Sequence, residues 1–77
     1  MDRKNTQLVK SFAKALKARR KSEGLSQEEF AHRLGLSVSY ISLLETENRQ
    51  PTLTVLAAVA SEFAISLAEF AAEIESQ

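Results

Sequence analysis

Cysteine is missing altogether, which removes a disulfide framework and any zinc site built on thiolates. Glycine occurs only at Gly24 and Gly35 and proline only at Pro51, so no glycine-rich phosphate loop is available. Long apolar runs are lacking too. The longest, VLAAVA at residues 55–60, is far too short to span a bilayer, and the start carries no signal-peptide apolar core. A cytoplasmic protein with no membrane partner is the expectation. The lone histidine, His32, has no cysteine or second histidine to join it, so it reads as an exposed helix position and no metal is expected. Serines are frequent, yet no GxSxG turn and no histidine–acid constellation accompanies them. Catalysis, a cofactor and a small-molecule ligand are therefore not expected.

Net charge is also absent, since ten basic residues meet ten acidic ones. That zero argues against a nucleic-acid partner at first sight, because phosphate neutralisation by Lys and Arg supplies most non-specific affinity. The distribution tells a different story. Arg3, Lys4, Lys10, Lys14, Lys17, Arg19, Arg20 and Lys21 oppose only Asp2 before Glu23, while the remainder holds nine acids against Arg33 and Arg49. One part is thus about +7 and the other about −7, the sign pattern of a solvated basic helix face or of a phosphate-binding one.

What is present is apolar residue at helical spacing. Hydrophobic residues make up 44% of 77 positions, enough for one small domain near the lower size limit of a single core. Residues 1–5 are polar and are expected to fray. From Thr6, read as a cap, Leu8, Phe12 and Leu16 recur every four residues with Val9, Ala13 and Ala15 beside them, predicting a long helix to Ser22 that Gly24 ends. Ser26 and Glu29 form a capping box for a second helix over residues 27–34, with Phe30, Ala31 and Leu34 on its apolar face. Gly35 stops it. Ser37 caps a third helix over residues 38–45, carrying Ile41 and Leu44. A polar loop and Pro51 follow, then Thr52 caps a fourth helix whose buried face is expected to hold Leu53, Leu56, Val59, Ala60 and Phe63. Ala64 and Ile65 link it to a fifth helix with a Ser66–Glu69 capping box and the apolar residues Leu67, Phe70, Ala71 and Ile74. The expected fold is all-α, one domain of five helices over residues 1–77.

Helices two and three are joined only by Gly35, Leu36 and Ser37, so they must cross steeply, as in a DNA-reading helix-turn-helix. The stretch LSQEEFAHRLGLSVSYISLLE, with Pro51 and Leu53 downstream, resembles the helix-turn-helix of the phage-repressor and Cro-like (XRE) family across residues 16–70. The resemblance implies a lambda-repressor-like domain that places helix three in the major groove of double-stranded DNA. Val38, Ser39, Ser42 and Leu43 then occupy the base-contacting positions, with Ile41 and Leu44 turned inward. This chain departs from the usual chemistry there, having no Gln, Asn or Arg for a bidentate base contact. Two serines and two apolar side chains are weak readers, and an apolar protein contact through Val38 and Leu43 is the alternative reading.

Gln27, Ser37, Tyr40, Asn48 and Arg49 are the expected phosphate contacts. The resemblance implies that role for Gln27 at a helix start and for the Tyr40 hydroxyl, the Tyr40 ring packing against helix two. Glu47 opposes DNA by its charge, and Arg33 reaches either a phosphate or Glu29 one turn earlier. Arg20 and Glu45 match a family pair that ties helix one to the end of helix three, a structural ion pair. A single recognition helix reads few base pairs, so a homodimer is expected, with Leu67, Phe70 and Ile74 as its candidate surface; the alternative is that all three close the core of the monomer, as is expected of Phe70. Chains of this length also resemble restriction-modification controllers and Cro-like regulators. The expected function is a transcriptional regulator, most simply a repressor; a helix-turn-helix used as an antitoxin or adaptor module stands against it.

Overall fold

The computed structural model describes residues 5–77; Arg3 and Lys4 of the basic segment lie outside them. Five helices follow in order, α1 (Thr6–Ser22), α2 (Gln27–Leu34), α3 (Val38–Glu45), α4 (Leu53–Glu62) and α5 (Leu67–Glu75), and the described residues contain no strand. The fold is all-α with the helix-turn-helix at α2 and α3.

Each start is fixed by one side-chain oxygen. Ser26, Ser37, Thr52 and Ser66 accept from the backbone N–H three residues on, and in α2 and α5 the carboxylates of Glu29 and Glu69 return the bond to complete capping boxes. At α1 the cap is Asn5, whose Oδ1 accepts from Leu8 N–H at 2.9 Å; Thr6 is the first helical residue. Asn5, expected to fray, thus anchors a helix, because its short amide reaches the unsatisfied donors of the first turn.

Three of the four turns are built alike. A residue with positive φ (Gly24, Gly35 or Ala64) is followed by an apolar residue packed on the core (Leu25, Leu36 or Ile65) and then by the serine that caps the next helix. In each, the N–H of the apolar residue returns to the carbonyl five residues back, Leu25 to Arg20, Leu36 to Ala31 and Ile65 to Ala60, which closes the helix end and drives that side chain inward. The α3–α4 turn is longer. Glu47 takes the positive φ there, and Asn48 N–H bonds the Leu43 carbonyl before Pro51 and Thr52 start α4.

One core serves all five helices, with Phe30, Phe70, Leu16, Ile41, Leu44 and Val59 fully buried. Phe12 of α1 meets Phe70 of α5 edge to face at 6.2 Å, and Phe30 of α2 stacks on Phe63 at 5.4 Å, so aromatic pairs join elements distant in sequence.

Periodicity misplaces two leucines. Leu53, expected on the buried face of α4, is 72% exposed, and Leu8 of α1 is half exposed. Both lie in the first turn of their helices, where the body no longer covers the apolar stripe. Beside Leu8, an apolar groove of about 400 Å³ opens between Leu8 and Phe12 of α1, Pro51 and Leu56 near the α4 start, and Ala71 and Ile74 of α5. No single helix among the described residues is long and apolar enough to cross a membrane.

Candidate nucleic-acid interface

The α2–α3 crossing is what aims α3. Gly35 turns the chain at φ 70°, a conformation that an L side chain adopts only under strain, and Ser37 then restarts the helix by accepting from Tyr40 N–H at 3.1 Å. With Ile41 and Leu44 pointing into the core, the opposite side of α3 is left to solvent. Val38 is 41% exposed, and Ser37 and Ser39 are exposed. Ser42 and Leu43, expected to face fully outward with them, are half-buried, because they flank the inward stripe on a helix only eight residues long. Tyr40 is half-buried and packs its side chain against the core cluster.

The end of α3 is held from two other helices. Glu45 receives the Arg20 guanidinium side-on, Nε to Oε2 at 2.7 Å and Nη2 to Oε1 at 3.0 Å, while Arg20 Nη1 donates to the Leu25 carbonyl at 2.8 Å. The two side chains are 9% and 2% exposed. Such a charge-assisted fork holds the Arg20 proton more tightly than usual, its hydrogen bonds to Glu45 outweighing the opposing effect of burial. Arg20 and Glu45 therefore stand as the ion pair named from sequence, linking α1 to the last residue of α3.

Around this pair the expected phosphate contacts divide. The side-chain amide of Gln27, the first residue of α2, turns to Glu45 and donates from Nε2 to Oε1 at 3.1 Å, a partner 18 positions away that no local pattern announces. The Asn48 amide donates to the Thr46 carbonyl and hydroxyl oxygens, and its backbone N–H bonds Leu43, so both donors expected to face phosphate are engaged in closing α3. Arg49 is exposed beside them. Arg33 lies 3.5 Å from Glu62 of α4, while Glu29, which accepts from Ser26 N–H in its capping box, still feels the Arg33 charge. His32 is exposed on α2.

The expected dimer surface needs correcting. Phe70 is fully buried and Ile74 nearly so, both members of the core cluster; only Leu67, 38% exposed, presents its side chain outward. A helix face read from spacing alone cannot tell core from interface, since either buries the same stripe. A further pair escaped sequence reasoning. Arg19 on α1 grips Glu73 on α5 through Nε and Nη2 and lies 5.5 Å over the Phe63 ring, joining residues 54 positions apart.

A helix-turn-helix family model matches residues 16–70. The chain is 37% identical over 60 residues to the uncharacterised HTH-type transcriptional regulator YazB of Bacillus subtilis, covering 78% of this chain and 87% of that one. It is 41% identical over 44 residues to the propionyl-CoA carboxylase regulator of Cereibacter sphaeroides, covering 57% of this chain and only 10% of that longer protein. Among solved structures, the restriction-modification controller C.Esp1396I, a tetramer in complex with its natural 35 base-pair operator, superposes with a TM-score of 0.80 at 25% identity, covering 90% of this chain and 91% of that one. On the match to the family model and to YazB, the chain belongs to the helix-turn-helix family.

Proposed function

We propose that this chain is a DNA-binding transcriptional regulator, a cytoplasmic repressor without catalytic activity, that reads a pseudo-palindromic operator as a homodimer through α3 in the major groove. The observation that carries the reading is the uncovered first turn of α3, Ser37, Val38 and Ser39, on a helix whose other side and far end are locked into the body. Val38, Ser39, Ser42 and Leu43 meet base edges, the serines by single hydrogen bonds and the apolar pair by contact with thymine methyl groups. Gln27, Ser37, Tyr40, Asn48 and Arg49 hold the flanking phosphates; for Asn48 this requires exchanging a bond within its own loop. The operator complex of C.Esp1396I, on the same fold, supports both the DNA target and assembly of more than one copy. Two half-sites about 34–36 Å apart supply the specificity that four weak readers cannot. Of the residues expected at the contact between copies, Leu67 of α5 is the one left exposed to make it.

A titration of random duplex binding against salt tests the reading. Phosphate-based binding must weaken steeply as salt rises; a flat response, or no binding at low salt, would favour an apolar protein partner on Val38 and Leu43. Gln27→Ala and Arg49→Ala should weaken binding to all sequences alike, whereas Ser39→Ala should change sequence preference. The reverse pattern would exchange the two roles.

A further inference from the structure

The geometry points to Glu45 as a positioning residue that fixes which edge of the Gln27 amide meets a phosphate, an inference that rests on the DNA-binding reading above. An ionised carboxylate is acceptor-only, whereas a glutamine amide has a donor edge and an acceptor edge of nearly equal shape. Glu45 Oε1 accepts from Gln27 Nε2 at 3.1 Å, so flipping that amide would bring its carbonyl oxygen against a carboxylate oxygen. The flipped form is repelled. Held in the observed sense, the amide directs one Nε2 hydrogen to Glu45 and its second one, about 120° away, out of the network. A phosphate approaching the start of α2 then meets a donor and not an oxygen.

Glu45 is fit for that task because it cannot move. Arg20 clamps both its oxygens, at 2.7 and 3.0 Å, and is itself pinned at 2.8 Å to the Leu25 carbonyl in the turn preceding α2. The carboxylate is 2% exposed, so water does not compete for the oxygen that Gln27 uses. Gln27 is only half-buried, open to a ligand on its remaining side. The pair that fastens α3 to α1 therefore also sets the amide before DNA arrives, and no ordering of that side chain is left for the moment of binding.

The test measures binding of the full chain to a random-sequence duplex at low salt for the wild type, Gln27→Ala, Glu45→Gln and the double variant. Gln27→Ala is expected to weaken binding about tenfold per protomer, the size of one hydrogen bond to a charged group. In the Glu45→Gln background the same change is expected to lose only about fivefold, because an amide at 45 tolerates either sense of Gln27 and about half the molecules then turn the oxygen outward. Equal losses in both backgrounds would overturn the positioning role and leave the DNA reading standing; absence of wild-type binding would overturn both. In the protein without DNA, heteronuclear NMR should show one Gln27 side-chain proton shifted and protected from exchange in the wild type, and an unshifted pair would overturn the inference whatever the duplex does. If Glu45→Gln fails to fold, Gln27→Asn decides. It keeps the amide but withdraws it by one methylene from Glu45, and binding at wild-type strength would sink the proposal.

Discussion

Arg19 and Arg20 are neighbours on α1, yet they fasten opposite parts of the molecule by different physics. Arg20 reaches the end of α3 and meets Glu45 almost out of contact with water, whereas Arg19 reaches α5 and meets Glu73 with about a third of each side chain exposed. The α5 side has a second means of attachment, the Phe12–Phe70 contact, while Arg19 also lies over Phe63. Identical functional groups thus do unequal work. Burial strips solvent from the Arg20–Glu45 pair, so each charge depends on the other; exposure leaves the Arg19–Glu73 pair screened, and apolar packing holds α5. The helix that reads DNA in our proposal is the one held by the dependent pair.

Glu45→Ala should break this difference most severely. It leaves the Arg20 guanidinium buried without its counter-charge, held only by the Leu25 carbonyl, and removes the Gln27 partner, at a cost of about 3–5 kcal/mol, enough to unfold much of a marginal domain of this size. Urea denaturation monitored by circular dichroism would measure it. Replacing both partners by apolar residues, Arg20→Met with Glu45→Leu, should recover a large share of the loss, since no charge is then stranded. A double variant no more stable than Glu45→Ala would mean that the pair stabilises by attraction and not merely by mutual neutralisation.

The α1–α3 attachment was legible before the fold because Arg20 and Glu45 sit in a pattern shared with a known family. The α1–α5 attachment was not, since nothing near Arg19 singles out a partner 54 positions away. The same division runs through the molecule. Helix starts were legible because a serine or threonine oxygen and an N–H three residues on are a local matter, as at Ser26, Ser37, Thr52 and Ser66. The inward or outward fate of Leu8, Leu53 and Ile74 was not, because it depends on where other helices cross and end. For the candidate site, the outward first turn of α3 follows from Ile41 and Leu44 turning inward, but the hold of Glu45 on Gln27 exists only once α2 and α3 have crossed.

Turn chemistry offers a smaller test of the two sides. Gly35 at φ 70° closes α2, and Ala64 at φ 57° follows α4 in the equivalent place, one glycine and one alanine in the same left-handed geometry. A Cβ added at Gly35 would meet nothing within 4 Å, so Gly35→Ala carries only the backbone penalty, about 1 kcal/mol of lost stability. Ala64→Gly should run the other way and gain about 0.5–1 kcal/mol, the relief of strain exceeding the added freedom of the unfolded chain. Thermal midpoints of the two variants should therefore shift in opposite directions. A shift of like sign would show that the turns are not equivalent. Smaller still is Glu73→Ala, about 0.5 kcal/mol as expected of a screened surface pair. A loss near that of Glu45→Ala would erase the distinction between the two arginines.

The least effect concerns pH, and here the two sides should behave alike. Glu29 on α2 and Glu69 on α5 each accept from the backbone N–H of a capping serine, which holds both carboxyls below their ordinary value of 4.5. A folded pKa lower than the unfolded one means that the unfolded chain binds the proton more readily as pH falls. The contribution is complete above 4.5 and is lost as pH drops through the depressed values, so the acid limb of stability should steepen below 4.5. Arg20 adds nothing to that limb: its pKa is raised, so its share is complete throughout the acid range and is lost only in strong alkali. Glu29→Gln and Glu69→Gln should each flatten the acid limb by a similar amount, since each removes a titrating carboxylate from the same helix position at a water-exposed site while the amide oxygen still accepts the bond. Denaturant midpoints followed from neutral pH downward would show it. Flattening by Glu69→Gln alone would mean that the α2 capping box forms equally in both states, and that α2 is fixed by what lies behind it, Phe30 and the Glu45 network, and not by its own first turn.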